Sequence, residues 1–302
     1  MATNEKAEHE PVILKVFSEQ SQQVATRKVL YNNIESHFGK PVVSLFTSFI
    51  HRVMLEDSDV DMLAGVLQTM DLSKGFTLFI SSPGGDALAA ERMINICRTY
   101  SKTKTFDVIV PSKAKSAATL VCFGAEKIIM GPTSELGPVD PQVFVKDTEG
   151  LHFISIHHIV NSYDDLFKNA QSASGHLEPF LQQLSNYKAS VVGDYRNQIK
   201  LAKSIAIRVL KTGMMNDVNE SDIEGLIKVF IDPEDKLSHG RPIFTDEAAK
   251  CKLKVESIAS ETAKWQDVYE LYVRLSSYVT LHASKCIENK NHMFTVPIPQ
   301  GQ

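Results

Sequence analysis

The sequence predicts an α/β fold built from parallel βαβ units, and three observations predict it. Short apolar runs (PVVSLFTSF from Pro41, FTLFIS from Phe76, TFDVIV from Thr105) alternate with stretches long enough for helices. Their spacing suits crossover helices rather than hairpin turns, which makes neighbouring strands parallel with right-handed connections. Two of the runs end in turns rich in glycine, proline or serine, and a helix pattern opens directly after each.

Taken in order, residues 1–39 are polar, hold one helix around Gln22 to Phe38, and read as an N-terminal extension. From Pro41 the texture becomes apolar and the first strand begins. LEDSDVDMLAGVLQTM follows as a helix, with Asp57 or Ser58 as its cap and apolar residues at helical spacing. A strand over Phe76–Ser81, a helix over Asp86–Thr99 and a strand over Thr105–Val110 come next. A short apolar helix Ser116–Gly124, a strand Lys127–Met130 and the turn-rich GPTSELGPVDPQ complete this section. Beyond Gln142, a strand-like piece around Leu151–Ile156 leads to a long helical region from about Glu178 to Lys211. A helix opened by Thr245-Asp246-Glu247 and a short strand bring the main domain to residue 256. The remaining 257–302 reads as a C-terminal helical extension, with Trp265, Val268, Tyr269, Leu271, Tyr272, Leu275, Tyr278 and Val279 on a helical repeat. That stripe packs on its own domain or meets another subunit.

Bulk properties exclude several function classes. The 302 residues are 43% hydrophobic and 23% charged, ordinary globular proportions, and the net charge of -4 supplies no basic field for nucleic acid. The opening MATNEKAEHE lacks the pattern of a signal or transit peptide, and no apolar run approaches the ~20 residues of a membrane span. Cys97, Cys122, Cys251 and Cys286 are scattered without paired spacing and read as buried free thiols, so a reducing, cytoplasmic setting is expected. No His/Cys/Asp set has zinc spacing and no GxxxxGK[ST] phosphate loop is present; neither a metal nor another cofactor is expected.

Two turns carry the candidate chemistry. In SSPGGDALAAERM, Gly84 and Gly85 either let strand and helix pack tightly or present N–H groups to a ligand. In VPSKAKSAATL, Ser116 is either a plain helix cap or a nucleophile, and Ala117 and Ala118 leave open space beside it. Consecutive β–α units put both turns on the C-terminal edge of one parallel sheet, where ligands bind in open α/β folds. There, N–H groups of Gly84, Gly85 and Ala117 could surround an oxyanion, at about 2.7–4 kcal/mol of transition-state stabilisation per donor. The same pair of turns suits any enzyme that stabilises an enolate or a tetrahedral oxyanion.

The ordered set SPGGDALAAERM, SAATL, GAEKIIMGP and LGPVDPQ, with HGRPIFTDEAAKCKL near its end, resembles the serine dehydrogenase proteinase family. That family is related to signal peptide peptidase A and, more remotely, to the Clp protease proteolytic subunit. The similarity runs from about Pro41 to Glu256. It implies a Clp/crotonase-type fold over 40–256, ATP-independent serine peptidase chemistry on a protein or peptide substrate with Ser116 at the nucleophile's place, and a homo-oligomer. Val139-Asp140-Pro141 stands where Clp-type relatives carry His-Gln-Pro, so no histidine is carried over. The peptidase A relatives use a lysine some forty to fifty residues past the serine. Lys168 is the nearest match, while an alternative register puts Tyr163 there. Lys146 and His157 follow as candidates. Lys113 and Lys115 flank the serine turn, His158 adjoins His157, and His239 precedes a Gly-Arg-Pro turn. Two rivals to the peptidase are a Clp-fold scaffold that has lost its base and an acyl-CoA enzyme on the same architecture.

Overall fold

The structure, a computed structural model, describes residues 12–13, 23–147, 150–232 and 240–300. Its elements begin with α1 (Gln23–Phe38), β1 (Val42–Thr47), α2 (Asp57–Leu67), β2 (Thr77–Ser81), α3 (Ala87–Tyr100) and β3 (Asp107–Val110). They continue with β4 (Lys113–Ala114), α4 (Ala117–Phe123), β5 (Ile128–Met130) and β6 (Glu135–Leu136). A hairpin, β7 (Gln142–Asp147) and β8 (Gly150–Ser155), leads into α5 (Ile156–Ser172), α6 (Glu178–Leu184) and α7 (Ala189–Lys211). After α8 (Glu220–Leu226), α9 (Lys228–Ile231) and α10 (Thr245–Lys250) come β9 (Val255–Ser257), α11 (Ala263–Leu281), β10 (Lys285–Glu288) and β11 (Met293–Val296).

The expected α/β fold is present. One seven-stranded sheet runs β11-β10-β1-β2-β3-β5-β9, parallel from β1 to β9 and antiparallel at β10 and β11. Strand alternation sends side chains to two cores. Val43, Leu45, Leu78, Ile80, Val108 and Val110 join the larger core with α2, α3, α4 and α7. Val42, Phe46, Phe79, Ile109 and Ile129 join the second, beneath α1 and α11. Each buried aliphatic side chain contributes about 1.5–3 kcal/mol, and burial on both faces explains why these strands read as continuous apolar runs.

The helices read as N- and C-terminal extensions therefore cover the sheet's second face. Trp265, Val268, Leu271, Leu275 and Val279 of α11 are buried there, so the aromatic stripe packs on its own domain. The helical expectation for 257–302 misses β10 and β11. Their signal is hidden because Lys285 and Glu288 of β10 are charged yet buried; Lys285 pairs with Glu56 and Asp59, and Glu288 with Arg27. The cap of α2 is Glu56 rather than Asp57 or Ser58, because Glu56 and Asp59 form a reciprocal capping box. The region expected to be helical from Glu178 breaks between α6 and α7, and α5 precedes it where the sequence reading predicts no helix. His239 lies outside the described residues.

Among the described residues, no helix is long and apolar enough to cross a membrane. Cys97, Cys122, Cys251 and Cys286 are buried free thiols. Burial pushes the thiols of Cys97, Cys122 and Cys286 up, which keeps them protonated.

Candidate functional site

β2 and β3 pair in parallel, so the two singled-out turns leave the same sheet edge. They continue to pair beyond the strands: Ser82 N–H donates to Lys113 O at 3.0 Å and Lys115 N–H donates to Ser82 O at 3.0 Å. This brings Gly84 against the serine. A Cβ built on Gly84 would sit 2.5 Å from Lys115 O, 2.7 Å from Ser116 Cβ and 3.0 Å from Ala117 N, and the residue has φ +101°. Only glycine meets both demands. Gly85 is pressed against the loop before α2, where a Cβ would come within 2.5 Å of Leu55 N. Leu55 N–H donates to Gly84 O at 2.8 Å, and Asp86 N–H donates to Leu55 O at 2.9 Å, forming a parallel rung outside the sheet.

Ser116 precedes α4 with φ 50° and ψ -118° and makes no side-chain cap hydrogen bond. A serine in this region is strained by about 1–3 kcal/mol, and such strain persists only where its surroundings impose it. The surroundings here are visible. Thr119 Oγ1 lies 2.8 Å from Ala114 O and 3.0 Å from Gly137 O, its one hydroxyl proton shared between the two carbonyls, and accepts from Gly137 N–H at 3.2 Å, tying the serine turn to the LGP turn. Lys115 Nζ is 2.7 Å from Glu135 Oε1 and donates to Leu136 O at 3.2 Å. Desolvation lowers the Lys115 pKa and Glu135 opposes it.

Gly84, Gly85, Ser116 and Ala117 line one cavity of about 330 Å³. Met54, Leu88, Leu120, Val139, Phe153 and Leu201 make much of the remaining wall. The expected oxyanion donors divide. Gly84 N–H donates to Ser82 Oγ at 3.2 Å, so its contribution is the close approach of the two turns. The N–H of Ala117, in the first turn of α4, has no partner within that helix. Gly85 N–H makes no hydrogen bond among the described residues.

The base expected from the resemblance is not brought to Ser116. The start of α5 abuts the site, since Ile156 N–H donates to Pro141 O at 3.0 Å. Lys168 stands about 18 Å further along that helix. Its side chain is 74% exposed and 3.8 Å from Asp165. Tyr163 packs with Tyr187 and Phe167, and His157 lines a different cavity with Asn161 and Lys203. Lys113 stands over the Phe49 ring, and His158 is exposed. Lys146 falls on β7, and its side chain lies outside the described set. Among the described residues no lysine or histidine lines the cavity, and its titratable side chains are Asp86 and Asp140. Asp86 caps α3, its Oδ1 accepting from Leu88 N–H at 2.9 Å. Asp140 is 1% exposed. This carboxylate stands in the Val139-Asp140-Pro141 motif itself, where Clp-type relatives carry His-Gln-Pro. No group of three or more His, Cys, Asp or Glu able to hold a metal occurs among the described residues.

Comparison with known proteins bears on this geometry. Residues 13–165 match the family model described as ClpP-like SDH-type serine proteinase. An uncharacterised protein of Methanocaldococcus jannaschii is 36% identical over 107 residues, 35% of this chain and 33% of the relative. A second protein of that organism is 37% identical over 91 residues, 30% of each chain. The aligned part thus spans about a third of the length of these curated relatives. Among solved structures, an alanine variant of the membrane-bound, stomatin-specific protease 1510-N, in complex with a substrate peptide, aligns over 73% of this chain and 93% of its own. It does so at 13% identity and a TM-score of 0.31.

Proposed function

The chain belongs to the ClpP-like SDH-type serine proteinase family, and from that membership and the geometry of its two turns we propose that it hydrolyses peptide bonds with Ser116 as nucleophile. The observation that carries this reading is the strained backbone of Ser116, held beside Gly84 in a cavity open to a ligand. Strain of this kind aims a hydroxyl out of a strand-to-helix turn, as in nucleophile elbows. Ser116 Oγ attacks the scissile carbonyl carbon. The carbonyl oxygen gathers negative charge and is received by the N–H groups of Gly85 and Ala117, each supplying about 2.7–4 kcal/mol. Collapse expels the amine, which leaves with the proton taken from Ser116, and water then hydrolyses the acyl-enzyme.

For the proton acceptor we propose Asp140 in place of Lys168. Asp140 is buried in the wall of the serine's cavity, whereas Lys168 is exposed on α5. The apolar wall, with Met54, Leu88, Phe153 and Leu201 at 39–53% exposure, suits an apolar substrate side chain beside the scissile bond. Phe144 and Phe153 pack together on β7 and β8, 50% and 43% exposed, which supports association with a further copy.

Turnover of a fluorogenic peptide series without ATP tests the reading. Cleavage by the natural sequence and none by Ser116→Ala is expected. A folded protein that cleaves nothing becomes the scaffold alternative, and one that binds acyl-CoA in this cavity becomes the acyl-CoA enzyme.

A further inference from the structure

Lys285, on β10, has a side chain only 2% exposed. Its Nζ lies 2.9 and 3.1 Å from the two carboxylate oxygens of Asp59 and 2.6 Å from Glu56 Oε1. Asp59 is 1% exposed, and burial pushes its carboxyl above the ordinary value while the Lys285 hydrogen bond pulls the other way. These two acids are also the capping box of α2. Glu56 N–H donates to Asp59 Oδ2 at 2.9 Å, and Asp59 N–H donates to Glu56 O at 3.0 Å. Lys285 therefore clamps the first turn of α2 to the sheet, where its own backbone stands opposite Thr47 of β1.

One residue before that box is Leu55, the rung that receives Gly84 to Asp86. Lys285 and Asp59 are a buried ion pair with Glu56, 62% exposed, at its edge; a buried pair is poor evidence for stability, because well-packed apolar residues often serve as well. What it supplies is one arrangement of its partners. An oxyanion site has to be held to about 0.5 Å to work. The geometry points to a specific role: we propose that Lys285 is a positioning residue, fixing Leu55 through the Glu56–Asp59 box so that the Gly85 N–H stays aimed into the Ser116 cavity. The C-terminal strand, outside the family-matched residues 13–165, would then shape the site. The catalytic consequence rests on the serine peptidase reading; the mechanical link does not.

The test compares Lys285→Arg, Lys285→Met and the double variant Lys285→Met/Asp59→Asn, which removes both charges and keeps a side-chain acceptor for Glu56 N–H. Amide hydrogen exchange is read at Leu55 and Asp86, with Val108 of β3 as the distant reference. Inactivation by a fluorophosphonate is resolved into kinact and KI. In the double variant we expect exchange at Leu55 and Asp86 to rise at least tenfold with Val108 unchanged. We also expect kinact to fall at least tenfold with KI within twofold, and recovery in Lys285→Arg. Unchanged protection at Leu55 and Asp86 overturns the proposal, as does faster exchange at all three amides, which marks a merely structural role. If the natural sequence does not react with the probe, the peptidase reading fails by itself, and the exchange data still decide the link.

Discussion

Gly84→Ala is the smallest change that probes the contact between the two turns. The added Cβ meets Lys115 O at 2.5 Å, and this gap has to widen by about 0.9 Å to reach ordinary contact at 3.4 Å. The obstacle is backbone on both sides, so no flexible side chain absorbs it. The φ of +101° adds the strain of a conformation that L residues rarely adopt, about 1–3 kcal/mol. A loss of about 2 kcal/mol lowers Tm by roughly 3 °C in a domain of this size. The displacement falls on Lys115, Ser116 and Ala117, between the proposed nucleophile and the proposed oxyanion donor. Misplacing reacting groups by about 1 Å costs on the order of 100-fold. The assay is fluorophosphonate inactivation of folded protein, checked by circular dichroism, alongside a thermal melt. A folded Gly84→Ala protein that reacts at the natural rate would refute the claim that the serine turn is shaped by Gly84.

Other substitutions test neighbouring parts. Gly85→Val should break the Leu55 rung and abolish inactivation and turnover; unchanged turnover in a folded variant would remove this turn from the mechanism. Thr119→Val leaves the Gly137 N–H without its partner and should cost about 1–3 kcal/mol with a slower reaction at Ser116, and an unchanged melt and rate would count against the tie. Lys168→Ala should leave reaction within twofold and stability within about 0.5 kcal/mol, whereas Asp140→Asn should suppress reaction; the reverse pattern restores the lysine as base. A lysine base makes the rate climb across about pH 7 to 9 as the amine deprotonates, and a level profile over that range counts against it. Light scattering at micromolar concentration should give at least a dimer, and a monomer mass would contradict the reading of the Phe144–Phe153 patch.

Much of the fold was legible because β1, β2, β3 and β5 are buried on both faces, leaving apolar runs too short for helices and too widely spaced for hairpins. Both turns were legible for a related reason, since paired glycines and an isolated serine at strand ends mark backbone that has to approach something. α5 was missed although Ile156, Val160 and Tyr163 stand at helical spacing and pack with Val192; the adjacent His157-His158 and the preceding strand pattern masked the period. β10 was missed because buried charge reads as surface until its partners are known, and Glu56, Asp59 and Arg27 are all more than 220 positions away. The base was the least legible part: α5 carries Lys168 away from the Ser116 cavity, and Asp140, the acceptor proposed instead, stands in a turn motif that gives no periodic signal.

Mapping a fluorophosphonate adduct by peptide mass spectrometry tests the central claim most directly. The account predicts one adduct, on Ser116, in the natural sequence, and none in a folded Ser116→Ala variant. An adduct on another residue, or none on the folded natural chain, would contradict it.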